Sequence, residues 1–337
     1  MSETTPYDAE STARAFWTVA AGIGELREQS LAAPGPGEVR VRTRFSGISR
    51  GSESLVFHGR VPESEHERMR APFQRGDFPF PVQYGYACVG EVEAGPEALV
   101  GTTVFCLHPH QDRFVVPADA VAPVPDGVPA GRAVLAANAE TALNALWDGQ
   151  AGPGDRIAVV GGGVVGLLVA RLAARLPGTE VTLVDVNPAR EAIARQLGLD
   201  FARPDDESSD RLIDQDLVFH ASATADGLQT ALDAAGFEAR VIELSWYGAG
   251  RTPVALGGAF HARRLTIQAS QVGHVPSARR GRWTRRRRLV TALTLLADDA
   301  LDALIDDECA FEALPTRMPT VCADDATDLC LRVVYPD

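Results

Sequence analysis

The chain has 337 residues, 45% hydrophobic and 23% charged, with a formal net charge of −13. That length exceeds one ordinary core and points to two domains, while the acidic balance argues against nucleic acid as a partner. No run of about 18 apolar residues occurs, so no membrane-spanning helix is expected.

The opening MSETTPYDAESTARAF lacks a basic-then-apolar pattern, so no secretory signal is expected there. Residues 15–125 alternate short apolar runs with Gly and Pro, as in EVRVRTRFSGIS, ACVGEVEAG, GTTVFCL and DRFVVPAD. Period-two alternation and frequent breakers predict a β-rich region with much loop. Within it, FHGRVPESEHERMRAPFQRGDFPF (57–80) lacks strand character and predicts a long functional or mobile loop. From about residue 129 the texture changes. AGRAVLAANAETALNALWDG predicts a helix ended by Gly149. Next come RIAVVGGG (strand), VVGLLVARLAARL (helix), EVTLVDV (strand), PAREAIARQLG (helix), DLVFHAS (strand), ADGLQTALDAAG (helix), ARVIELSW (strand) and RLTIQAS (strand). Apolar strands alternating with helices predict a parallel sheet covered on both faces. A helix at RRLVTALTLLAD and a short β-α-β tail ending in LCLRVVYP close the chain. The expected division is 1–143, completed by 276–337, for a β-rich domain, and 144–275 for a doubly wound α/β domain. Five scattered cysteines without CxxC spacing read as free thiols of a reducing cytoplasm.

Gly161-Gly162-Gly163-Val164-Val165-Gly166 satisfies GxGxxG between a predicted strand and a predicted helix, and Asp185 ends the next strand. Gly161 permits the tight turn, Gly163 the close approach of a pyrophosphate, and Gly166 tight helix–strand packing. The helix N-terminus then presents unpaired N–H groups to the phosphates. Asp185 would accept hydrogen bonds from ribose hydroxyls and repel a 2′-phosphate, favouring NAD(H) over NADP(H).

These features together resemble the medium-chain dehydrogenase/reductase superfamily over residues 15–335. SGISRGSE (46–53) stands where its zinc alcohol dehydrogenases carry Cys-Gly-Ile-Cys-Gly-Thr-Asp, and GYACVGEV (85–92) where they carry Gly-His-Glu-x-x-Gly. SGIS-x-G-S-E, NAETALNALWD and ELSWYG are most similar to the bacteriochlorophyllide dehydrogenase-like branch. The resemblance implies a GroES-like catalytic domain, a Rossmann domain and nicotinamide-dependent redox chemistry on a small alcohol or carbonyl. It also implies a homodimer joined through the edge strand RLTIQAS.

It does not imply the metal. At the ligand positions stand Ser49 (Ser46 if the alignment slips), Tyr86 and, near the third, Glu140, with Ala87 replacing the next carboxylate. Neutral hydroxyls are poor zinc ligands, so no metal site is expected. Cys106, His108, His110 and Asp112 alternate, and Pro109 disturbs regular pairing there; the role expected for His110 or His108 is to line the substrate cleft. Without zinc a hydrogen-bond donor must polarise the substrate oxygen. Tyr86 takes that role by position, the alternative being a packed aromatic. Ser49 would donate a second bond, and Glu53 and Glu140 would orient the donors or relay protons. Asn144 lies one helical turn beyond Glu140. Trp246 and Tyr247 either approach the nicotinamide or pack an interface.

ARRGRWTRRRR (278–288) sets seven arginines in an acidic chain. Arg285 and Arg286 are assigned to an anionic group on the substrate, and the cluster also leaves room for NADP(H). The function expected is a zinc-independent NAD(P)-dependent alcohol dehydrogenase or carbonyl reductase. An enone or quinone reductase and a non-catalytic NAD(H) sensor are the alternatives.

Overall fold

The computed structural model describes residues 11–205 and 212–336. The chain forms two compact units, one from residues up to Ala137 together with those from Ile305 onward, the other Asn138–Leu304.

In the first unit, β1 (Ser11–Ala20) and β2 (Ile23–Leu31) form an antiparallel hairpin, and β3 (Glu38–Gly47) runs into α1 (Arg50–Phe57). Only β4 (Arg75–Gly76) interrupts the irregular chain from 58 to 80 beyond a short 3₁₀ turn, followed by β5 (Val82–Gln83). Then come β6 (Cys88–Ala94), β7 (Thr103–Cys106), β8 (Arg113–Pro117) and β9 (Val121–Pro123). The side chains of Val39, Val41, Cys88, Val92, Val104, Phe114 and Val116 meet in one core. Each fully buried side chain of that size contributes about 1.5–3 kcal/mol.

The second unit takes most of α2 (Ala136–Gly149), then β10 (Arg156–Val160), α3 (Val164–Ala173), β11 (Glu180–Val184), α4 (Arg190–Gln196) and β12 (Asp200–Ala202). It continues with β13 (Gln215–His220), α5 (Ala225–Ala234), β14 (Ala235–Glu243) and β15 (Thr266–Ala269). The six strands lie in the order β12-β11-β10-β13-β14-β15, every pair parallel. The order reverses between β10 and β13, which places the topological switch point there. Thr224 caps α5 by accepting the Gly227 N–H.

The helices α6 (Ser277–Arg280) and α7 (Arg285–Leu295) group with this sheet, so residues 276–304 lie in the second unit. Arg288 explains the grouping of α7: it is buried and pairs with Glu140 of α2 at 2.9 Å. Finally β16 (Ile305–Ala310), α8 (Leu314–Val321) and β17 (Cys330–Val334) return to the first unit, where β17 pairs antiparallel with β3. All five cysteines are free and buried. No helix among the described residues is long and apolar enough to cross a membrane.

Candidate active site

The first unit builds one site around the start of α1. Glu53 sits in the first turn, 3% exposed, and its Oε1 accepts the Ser49 N–H at 2.8 Å. That carboxylate satisfies a helix-terminal donor, as a short helix without a side-chain cap requires. Its Oε2 lies 2.8 Å from Nε2 of His110, whose Nδ1 lies 2.7 Å from the Ser46 hydroxyl; Ser46 in turn lies 2.9 Å from the Tyr335 hydroxyl. One set of directions satisfies every group: Tyr335 donates to Ser46, Ser46 to His110 Nδ1, and His110 Nε2–H to the Glu53 carboxylate. His110 therefore stands inside a buried chain of hydrogen bonds and is only 1% exposed. Gly85, at φ +122, makes room for it, since a Cβ there would lie 2.9 Å from the imidazole.

Tyr86 stands beside this chain and shares hydrogen bonds with the Ser49 and Ser52 hydroxyls. Its ring is partly exposed. Burial of its hydroxyl, with the nearby Glu53 charge, pushes the phenol up to about 12. Tyr86 is thus a protonated donor throughout the physiological range. Its ring meets that of Tyr84 edge-on at 5.9 Å. Ser49, Glu53 and Tyr86, expected from the sequence to act together, are brought together.

The remaining candidates have other partners. His108 stacks on Phe114 at 3.9 Å and 9°, and desolvation lowers it to about 3, so it is neutral. The regular strand ends at Cys106, and Asp112 turns to the Arg14 N–H at 2.8 Å. The alternating Cys106–Asp112 residues consequently do not converge on one point. Glu140 is held by Arg288, and burial raises its carboxyl despite that partner. Asn144 accepts from Arg288 and donates to Asp148 at 2.9 Å. Both side chains thus serve a buried clamp between α2 and α7. On α7, Arg285 and Arg286 are exposed, while Arg287 lies over the Trp283 ring at 3.9 Å.

Zinc does not fit this donor set. Ser49 and Tyr86 offer neutral hydroxyls, the Tyr86 phenol is shifted away from ionisation, and Glu140 is engaged by Arg288. Among the described residues, no three His, Cys, Asp or Glu side chains stand close enough to hold a metal ion.

The second unit fits a dinucleotide. Gly161 adopts φ +112, and a Cβ on Gly166 would lie 1.9 Å from the Gly161 carbonyl oxygen. Gly163 begins α3 without a side-chain cap, leaving the first-turn N–H groups of Val164 and Val165 to a ligand. Asp185 Oδ2 accepts the Gly162 N–H at 2.6 Å and Oδ1 the Asn187 N–H at 2.8 Å, so the loop and the acid form one unit. Sequence reasoning named Tyr247 but missed the polar cluster it joins, at the carboxyl ends of strands in the same sheet. His220 lies 2.7 Å from both Glu243 Oε2 and the Ser222 hydroxyl, and Tyr247 donates to Glu243 at 3.0 Å. Trp246 is half-buried beside it in sequence.

The family described as alanine dehydrogenase/PNT, C-terminal domain, matches residues 149–239, the dinucleotide-binding part of the second unit. D-guloside 3-dehydrogenase of Escherichia coli K12 is 25% identical over 322 residues, covering 88% of this chain and 91% of that protein. Similarity to a dehydrogenase over most of both chains agrees with the resemblance to the medium-chain dehydrogenase/reductase superfamily. Two solved structures share its fold. One is a Sinorhizobium meliloti protein described as a zinc-binding dehydrogenase and bound to NADP (TM-score 0.77, 18% identity, 96% of this chain and 99% of that one). The other is a short chain alcohol dehydrogenase of Escherichia coli CFT073 with NADH (TM-score 0.76, 17% identity, 96% and 100%). The second unit thus has a doubly wound parallel sheet with a glycine-rich turn, and the β-rich first unit brings the hydroxyls of Ser49, Ser52 and Tyr86 together.

Proposed function

We propose that this chain is a zinc-independent, NAD(H)-preferring oxidoreductase that interconverts an alcohol and a carbonyl on a small, sugar-like substrate. The observation that carries the reading is the Tyr86 hydroxyl, neutral and hydrogen-bonded to Ser49 and Ser52 beside the Glu53–His110 pair. The name of the guloside-oxidising relative supports a polyhydroxylated substrate. Asp185 supports NAD(H), because a 2′-phosphate would meet its carboxylate.

The bound nicotinamide would supply or accept the hydride. Tyr86 would donate its hydrogen bond to the substrate oxygen and, in reduction, pass its proton as negative charge develops there. Ser49 and Ser52, both partly exposed, would relay a proton from solvent back to Tyr86. Glu53 fixes Ser49 through the backbone and is itself fixed by His110, so these two act as positioning residues. Arg285 and Arg286 are proposed to take an anionic group on the substrate, and β15, exposed at the sheet edge, to pair two copies of the chain.

Oxidation of NADH with ketoses, aldehydes and enones, with and without a zinc chelator, tests the reading. Carbonyl reduction that survives chelation supports it. Turnover of enones alone would favour an enone reductase, and tight NADH binding with no turnover a sensor. Loss of activity on chelation, restored by zinc, would overturn zinc independence.

A further inference from the structure

Glu243 and His220 form a charged cluster that neither the glycine loop nor the Tyr86 site requires. They end the adjacent strands β14 and β13, on the carboxyl side of the switch point where open parallel sheets bind their ligands. The turn after β13 closes against the turn after β10: Ala221 N–H donates to Val160 O at 2.8 Å, and a Cβ on Gly161 would lie 2.6 Å from Ser222 N. Ala223 N–H reaches the Ser245 hydroxyl at 3.1 Å, tying the β13 and β14 ends together. A dinucleotide with its adenosine ribose at Asp185, beyond β11, and its pyrophosphate on the β10 turn has its second nucleoside directed toward the ends of β13 and β14.

The hydrogen-bond directions place a negative charge on Glu243. Glu243 Oε1 accepts the Ser245 N–H at 2.7 Å, and Oε2 accepts from Tyr247 and from His220 Nδ1–H. His220 Nε2 then accepts the Ser222 O–H, so a neutral imidazole satisfies all its partners. Those hydrogen bonds outweigh partial burial and hold the Glu243 carboxyl below its ordinary range. The carboxylate remains 13% exposed, unlike the fully buried imidazole, so its field reaches the open edge of the sheet.

We infer that Glu243 sets the redox-state preference of the cofactor site, its carboxylate favouring the oxidised, cationic nicotinium ring over the neutral reduced ring. The inference rests on the nicotinamide reading above. The two cofactor forms share the adenosine and pyrophosphate half, so the ratio of their affinities isolates the charge on the ring. His220 and the Ser245 N–H act as the positioning groups that keep the carboxylate ionised and aimed, and Tyr247 adds a hydrogen bond on which the charge does not depend.

The test is titration of the full chain with NAD⁺, NADH and ADP-ribose, comparing the natural protein, Glu243→Gln and Tyr247→Phe. Glu243→Gln keeps the shape and removes the charge. It should weaken NAD⁺ about tenfold, the order supplied by one unit charge at a partly screened site, and leave NADH and ADP-ribose within about twofold. Tyr247→Phe keeps the charge and should leave the NAD⁺ to NADH ratio within about twofold. Equal weakening of NAD⁺ and NADH in Glu243→Gln, or an unchanged ratio, overturns the inference. If Glu243→Gln does not fold, Glu243→Asp replaces it: retaining the charge, it must retain the ratio, and loss of NAD⁺ preference there overturns the inference. A natural protein that binds ADP-ribose but neither nicotinamide form would instead overturn the cofactor reading, and this inference with it.

Discussion

Among the described residues, two histidine–glutamate pairs have nearly equal geometry, His110–Glu53 at 2.8 Å and His220–Glu243 at 2.7 Å. Their surroundings assign them different work. In the first unit both side chains are buried, and the hydrogen bonds run inward to Ser46 and Tyr335. In the second, the carboxylate lies at the open edge of a parallel sheet and the bonds run to Ser222, Ser245 and Tyr247. The first pair holds a helix start and the residues around Tyr86 in place. The second presents a charge at a strand end. A short contact between an imidazole and a carboxylate does not specify a role; the groups at the far end of each chain do.

The comparison can be broken first on stability. Glu53→Ala leaves the Ser49 N–H and the buried His110 ring without their acceptor and should cost about 3–5 kcal/mol in urea unfolding. Glu243→Gln, with a side chain that keeps its shape at a partly open position, should cost about 1 kcal/mol. Similar losses would make the two pairs equivalent structural ties. The arginines of α7 sharpen the same contrast between buried and open charge. Arg288→Met strands the buried Glu140 carboxylate and should cost about 3 kcal/mol, whereas Arg285→Ala with Arg286→Ala should cost no more than about 0.5 kcal/mol. The double variant should instead raise KM about tenfold for an anionic substrate and leave a neutral one unchanged; equal effects would remove the anion role. The smallest expected effect is in pH. A phenol near 12 keeps its proton, so the rate of carbonyl reduction should show no loss of the Tyr86 donor between pH 7 and 10. An unshifted tyrosine would already be half-ionised at about pH 10.

Much of the fold was legible because its signals are local. The apolar strands RIAVV and EVTLV and the glycines at 161, 163 and 166 each state their conformation within a few residues. Ser49, Glu53 and Tyr86 were legible by their places within short motifs. The rest depends on partners distant in sequence. Nothing near Ser46 announces Tyr335, which reaches it only because β17 pairs with β3. Nothing within ARRGRWTRRRR sets Arg288 apart, and its burial follows from Glu140 and Asn144 on another helix. His220 and Glu243 end two apolar strands, where a polar residue reads as a boundary; only parallel pairing of β13 with β14 sets them side by side. The alternation of Cys106, His108, His110 and Asp112 ends with the strand at Cys106, and His110 joins the chain of Ser46 and Glu53, partners that the pattern around it does not name.

The central claim is that a tyrosine hydroxyl carries out the polarisation that a metal performs in zinc relatives. The most direct measurement is the single-turnover rate of hydride transfer from NADH to a ketone substrate in the natural protein and in Tyr86→Phe, with NADH affinity measured on both. The account predicts a rate about 100-fold lower in the variant with NADH binding unchanged, as for loss of one preorganised donor to a developing oxyanion. An equal rate would contradict it and reduce Tyr86 to a ring that fills the space.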